Sequence, residues 1–429
     1  FRGRNGENIT SVMTNIIDIN TFTAKVAEER GIKKPKLILG ADGSTTKCII
    51  VGLIVEADEE LEFESLSKYK NTGQRRVLLL SKADDVPENR ANYDILLNSL
   101  DLHNISDEFQ IVCDFKLINI ILGIQTCTSR YDCAFCIGCK LDSNGNFSNK
   151  GGTYKKGAMR TWKNIIEENE RWLEETAGER NKLKFYYSCE FKPILMKPDK
   201  ENEEVMKTFP PDPLHCNLLG PGNDCLDKME KNWPDIMNTF YKNHALSKSG
   251  QGIGGNFNGQ DIRFIMKEIH LQELASMLPV EAEPFFNYLR SIEELHCATV
   301  SKDFSLSRCE KAVFDYEINF WFLHELHQLP MTLKVHVILD HYVWYFTEMG
   351  KNFHETNGEY VEAVHYSLDG HEETRKLKVK RNIGSDEHLK KALKSHVSFN
   401  SLRIGSPSRI MTIRNNSPKS SPRSPLVYM

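Results

Sequence analysis

The chain has 429 residues, a formal net charge of −4, and 40% hydrophobic and 27% charged residues, enough for two domains with a sizeable core. This excludes a small disulfide scaffold, a disordered polyelectrolyte and a protein that coats nucleic acid through bulk positive charge. No apolar run reaches the ~18 residues needed to cross a bilayer; the longest, Ile111 to Ile124, is interrupted by Asp114 and Lys116.

In chain order, residues 1–30 read as a helical or linker segment without the charged-then-apolar pattern of a secretory signal. The chain starts at Phe1 rather than Met, so a further segment is expected upstream. Lys36 to Ala41, Lys47 to Ala57 and Arg75 to Ser81 are apolar, partly β-branched runs bounded by Gly, Ser and charged residues, the pattern of buried strands. A helical stretch, Glu88 to Leu100, precedes a fourth strand-like run, Phe109 to Cys113.

After Asp114 the period changes. Met159 to Glu175, Leu226 to Tyr241, Asp261 to Met277, Glu281 to Leu295 and Ser307 to His327 carry apolar residues at three- and four-residue spacing, predicting a large helical block inserted into a sheet domain. A further helix is expected over Asn357 to Leu368. From His388 to Met429 there are eight Lys/Arg and no acid, with Ser-Pro steps at 406, 417, 421 and 424, so residues 376–429 read as a basic, largely disordered tail.

The 11 Cys are irregularly spaced, which in an intracellular chain favours free thiols or metal ligands over disulfides. Cys133 and Cys136 form a C-x-x-C pair able to aim two thiolates at one tetrahedral Zn²⁺, and His336 and His341, five apart, supply a matching imidazole pair. Cys127 and Cys139 compete for the same site. A redox role needs a strand running directly into the C-x-x-C, and none is evident. Buried free thiols and surface imidazoles are the plainer alternative.

Asp42 and Asp114 sit where strand-like runs end. Two such acids facing a third from a helix make a cage of hard oxygens able to hold a pair of Mg²⁺ ions ~4 Å apart. Asp is also an ordinary turn residue at such places. Glu355, Glu359 and Glu362 lie near the start of the expected helix, where the helix dipole favours acids regardless of function. Gly250 to Gly255 satisfies G-x-G-x-x-G but lacks the βαβ setting that gives the motif meaning, and His324 and His327 have the wrong spacing for a metalloprotease helix.

Taken in order, strand-Asp42, strand-Asp114, the interval of nineteen to Cys133-x-x-Cys136, Leu214-His215-Cys216, Gly255-Asn256-Phe257, His336-x₄-His341 and Glu362 resemble the catalytic core of the V(D)J recombinase and its Transib-type cut-and-paste transposase relatives. The resemblance covers about Leu37 to Leu368. It implies an α/β, RNase H-like mixed sheet flanked by helices (31–126 and 342–375), interrupted by a zinc-binding, mainly helical insertion (127–341). It further implies an Asp-Asp-Glu site of Asp42, Asp114 and Glu362, with Glu359 as the alternate, holding Mg²⁺ or Mn²⁺, and zinc on Cys133, Cys136, His336 and His341.

Expected partners are double-stranded transposon ends and a second copy of the chain, and the expected location is the nucleus. Lys155, Lys156, Arg160, Lys163 and the basic tail are candidates to meet DNA phosphates. Two other readings remain: an inactive, domesticated transposase fragment that binds DNA or acts as a scaffold, and a zinc-stabilised interaction module regulated through its Ser-Pro tail.

Overall fold

The computed structural model describes residues 1–43, 47–56, 77–102, 109–125, 129–142, 144–146, 153–175, 187–195, 200–248, 255–375 and 386–404. A five-stranded mixed sheet lies at its centre. Its strands are β1 (Met13–Asn15), β2 (Pro35–Gly43), β3 (Lys47–Glu56), β4 (Leu78–Asp84) and β5 (Phe109–Val112), in the order β1-β4-β3-β2-β5. Strands β2, β3 and β4 form an antiparallel meander, β1 adds antiparallel to β4, and β5 lies parallel to β2 with Gly40 opposite Val112. The short β1 was not anticipated: its three residues carry no alternating run of their own and are recruited by pairing with β4.

Both faces of the sheet are covered, which explains why its strands are near-continuous apolar runs. On one face Leu37, Leu39, Ala41 and Ile50 join Val26 of α1 (Ile19–Arg30), Tyr93 of α2 (Arg90–Asn98) and Ile118 of α3 (Phe115–Leu122) in the main core. The insertion follows: hairpin strands β6 (Cys139–Leu141) and β7 (Thr153–Lys155), then α4 (Trp162–Glu174), α5 (Val205–Thr208) and a π-helix over Leu214–Gly222. Next come α6 (Asn223–Asn232), α7 (Pro234–Asn243), α8 (Gly259–Met266), α9 (Glu268–Met277), α10 (Glu283–Val300), α11 (Leu306–His327) and α12 (Leu333–Met349).

Two of the anticipated long helices are each divided. The periodicity over Leu226 to Tyr241 is continuous, but Pro234 forces the preceding Trp233 out of the helical region and starts α7 afresh. Asp261 to Met277 breaks at the extended Lys267. Polar links cross the block: Asn217 of the π-helix donates to Thr299 Oγ1 of α10 (3.1 Å) and accepts from the Tyr342 hydroxyl of α12 (2.7 Å).

The chain then returns to the opposite sheet face through α13 (Glu359–Thr374) and α14 (Asp386–Ile404). Val361, Val364 and Leu368 of α13 and Phe399 of α14 pack on Ile38, Ile49, Val51 and Leu79. The start of the basic C-terminal segment is therefore ordered, because α14 has a partner: His396 bonds Thr14 and the Leu79 carbonyl, and Asn400 caps both backbone groups of Leu79. The Ser-Pro steps lie outside the described residues. Gly40 lets α13 come close, since a Cβ there would stand 2.4 Å from Val361 Cγ2.

Candidate functional site

The loop after α3 bends Cys133 and Cys136 inward around one buried side chain. Arg160, 1% exposed, donates from Nε to the carbonyls of Cys133 (2.9 Å) and Cys136 (3.1 Å), and from Nη2 to those of Tyr131 (3.1 Å) and Tyr187 (2.7 Å). Its guanidinium is thus spent on loop carbonyls, correcting the expectation that it meets DNA phosphate. Of the other cations in that group, Lys155 is exposed, Lys156 donates to the Asp340 carbonyl (3.0 Å) and Lys163 lies 3.9 Å from Glu167.

Helix α12 brings His336 and His341 to the two thiols, all four side chains buried. His336 Nε2 lies 3.3 Å from Cys136 Sγ, His341 Nε2 lies 3.5 Å from Cys133 Sγ, and the two Nε2 atoms are 3.3 Å apart. A tetrahedron with metal–nitrogen bonds of about 2.0 Å and metal–sulfur bonds of about 2.3 Å has N···N edges of about 3.3 Å and S···N edges of about 3.5 Å. The donors therefore stand at zinc-sized corners, and the buried group can hold a metal such as zinc.

The surroundings agree with that use. Backbone N–H groups of Phe135 and Gly138 donate to the two sulfurs (3.4 and 3.2 Å), Asp340 Oδ2 holds His336 Nδ1 at 2.6 Å, and Tyr154 stacks on the His336 ring at 4.3 Å. Cys133, His336 and His341 hold the Cys136 thiol well below its ordinary range, while burial and Cys136 push the Cys133 thiol well above it, so the pair retains one proton that metal binding would displace. Cys139 stands outside the group, and Cys127 lies outside the described residues.

The predicted acids collect at one end of the sheet. Since Gly40 faces Val112 across the parallel pair, Asp42 and Asp114 each lie two residues beyond the same rung. Asp114 is also the N-cap of α3, accepting from Leu117 N at 2.7 Å. Glu362 enters from the first turn of α13, held onto β2 by its buried neighbour Val361 at Gly40. Its carboxyl is raised by loss of hydration and by Asp212, Asp42 and Asp114, against the pull of His215. Glu359 points elsewhere, paired with Arg263 and 3.4 Å from His296 Nε2, so Glu362 is the acid that shares the field of Asp42 and Asp114.

Among the described residues the donor atoms of Asp42, Asp114 and Glu362 do not all come within 4.8 Å of one another, the spacing that the Cys/His group meets. Two of the acids have partners of their own: the N-cap bond for Asp114, and for Glu362 the imidazole of His215, whose Nε2 is 3.5 Å away.

Three residues that sequence reasoning did not assign a role complete the cluster. Asp212, almost fully buried, engages His215 Nδ1, and its Oδ1 accepts from the backbone of Leu214 (3.0 Å) and of Gly358 (2.8 Å), the N-cap of α13. Burial alone would lower the His215 pKa, but Asp212 and Glu362 carry it up to about 8. Glu88, paired with Lys116, is raised by burial and by Asp114 and Asp42. The Leu214-His215-Cys216 motif marked this region, whereas nothing local marks Asp212 or Glu88. Replacing Asp212 with Ala orphans the Gly358 N–H and should cost about 1–3 kcal/mol, read as a lower urea midpoint; an unchanged midpoint would contradict the clamp.

No protein-family model matches the chain, and no curated protein matches it.

Proposed function

We propose that the chain is a Transib- or V(D)J recombinase-like DNA transposase core with an RNase H-like sheet, cleaving and joining phosphodiesters at Asp42, Asp114 and Glu362. The observation that carries this reading is the meeting of three acids from distant segments at one sheet end: Asp42 and Asp114 beyond adjacent parallel strands, and Glu362 on a returning helix whose carboxyl feels both charges. The antiparallel meander β2-β3-β4 with β5 added parallel beside β2 supports it, as does the Cys/His group fastening the insertion beside the sheet.

The case for magnesium or manganese rests on the donor set, hard carboxylate oxygens, two of which, on Glu362 and Glu88, are raised by burial and further by the charges of Asp42 and Asp114. Bound there, such ions supply Lewis-acid activation of a water or 3′-hydroxyl and stabilise the leaving oxygen. The chain's own contributions are more specific. Asp42 and Asp114 offer fixed oxygens because their backbones are locked in the sheet and a helix cap; Asp212 orients His215, and His215 Nε2 holds Glu362 and can keep a proton beside it. Action on duplex ends as a homodimer in the nucleus is part of the proposal and rests on the sequence resemblance.

Incubation with supercoiled plasmid in Mg²⁺ or Mn²⁺ tests the reading. Wild type should nick, Asp114→Asn and Glu362→Gln should each lose at least about 10²-fold, the scale of removing one electrostatic catalytic partner, and Glu359→Gln should retain cleavage. Equal cleavage by wild type and Asp114→Asn, or DNA binding without cleavage by either, would remove the catalytic claim. The second of these outcomes supports the domesticated-scaffold reading.

A further inference from the structure

Away from the sheet, a second constellation of ligand-type side chains joins α7 to α9. His244 is the C-cap of α7, while His270 and Glu273, three apart on α9, share one helix face. His244 Nε2 lies 3.0 and 2.9 Å from the two Glu273 oxygens and His270 Nδ1 lies 3.7 Å from the nearer one, all donor atoms falling within 4.8 Å.

An ordinary His–Glu ion pair accounts for His244 and Glu273 but leaves His270 unexplained. Its Nδ1 is buried, faces this cluster and has no hydrogen-bond partner among the described residues, a costly state for a nitrogen able to give or accept. The rings are also held in place. Phe264 stacks on His270 at 3.9 Å and sits 5.3 Å from His244, and Phe240 lies 4.6 Å from His244 on the other side. Ala245, next in the chain, takes the left-handed conformation (φ 53°) that places His244 at the turn, a strain typical of positions whose geometry is imposed.

From this geometry we propose that His244, His270 and Glu273 form a second divalent-metal site, of the two-His, one-carboxylate type that zinc occupies with an open fourth position. Two imidazoles exclude the hard cations that all-oxygen sites select, so the occupant is a borderline ion such as Zn²⁺. Glu273 is 37% exposed, which gives the ion a way in from solvent and the open position access to water. The consequence is mechanical: the ion would tie the end of α7 to the first turns of α9, across the intervening α8.

The test uses the full chain with its Cys/His centre already filled, titrated with Zn²⁺ by calorimetry. Wild type should take up about one further equivalent, and His270→Ala and Glu273→Gln should lose that isotherm while keeping the wild-type melting curve. Co²⁺ bound at this site should show d–d bands without the thiolate charge-transfer band of the Cys-containing centre. An isotherm identical in wild type and both variants, or no uptake by wild type, would overturn the proposal.

Discussion

With a metal such as zinc bound by Cys133, Cys136, His336 and His341, which the buried group can hold, its chelation is expected to unfold the insertion and its seat on the sheet together. The reason lies in the sequence distance bridged: Cys133 meets His341 across 208 residues, so the centre closes the whole helical block at its base. Structural zinc of this kind contributes roughly 10–16 kcal/mol of apparent binding free energy, comparable to an entire domain's stability. Emptied, the site leaves two sulfurs and two imidazoles buried against one another without the ion that joins them, and of the four only His336 keeps a carboxylate partner, Asp340. Heating the protein with and without a strong chelator, while following zinc release, should show a large drop in melting temperature that coincides with release. Cys133→Ser should reproduce it without chelator. A melting temperature indifferent to both would mean that the quartet packs as an apolar plug.

The second large effect concerns Glu372, whose side chain is 1% exposed beneath α13. Its two oxygens meet Lys47 Nζ of β3 (2.6 Å) and Lys82 Nζ of β4 (2.5 Å), and Ser395 of α14 donates to it at 2.8 Å. Asp84 supports Lys82 (2.8 Å) and Asp369 supports Lys47 (2.6 Å). Replacing Glu372 with Gln removes the central negative charge from two buried ammonium groups and should cost about 3–5 kcal/mol, the penalty for breaking rather than replacing a buried ion pair. Denaturant unfolding measures it, and a loss below about 1 kcal/mol would place these lysines in effective contact with water.

Acid should act on the same network. Burial alone would raise the Glu372 carboxyl, but Lys82 and Lys47 outweigh it and hold the group at about 2 against an ordinary 4.5. A depressed folded-state pKa contributes stability in full above the unfolded value, and that contribution drains away as pH falls from about 4.5 toward about 2. Asp84, raised by burial beside Lys82, works in the opposite sense and blunts the slope. Stability measured across this window should fall more steeply in wild type than in Glu372→Gln; parallel curves would count against the assignment.

How much of this was readable beforehand depends on whether the cause is local. The meander was visible because runs such as Lys47 to Glu56 are buried on both faces, so burial writes itself into the sequence as continuous apolar residues. The metal quartet was visible because thiol and imidazole pairs keep their spacing on one loop and one helix. Glu88 and Asp212 were not, because their meaning comes from residues 26 and 150 positions away in Asp114 and Glu362. Arg160 was misread for the same reason: a surface phosphate clamp and a buried carbonyl clamp look alike until the loop of Cys133 is folded around it. Helix α14 escaped notice because its apolar stripe is thin, and its attachment runs through polar side chains, His396 and Asn400, to the edge of β4.

The wide separation of the two ligand pairs also sets a timetable for the nascent chain. Cys136 leaves the ribosome 200 residues ahead of His336, and at ordinary rates of synthesis this interval lasts roughly 10–40 s. Throughout it, both thiols wait without the imidazoles they pack against in the folded protein, open to oxidation or to capture of a stray ion. Slow translation or oxidative stress should therefore lower the yield of native protein more than the finished molecule's stability would suggest.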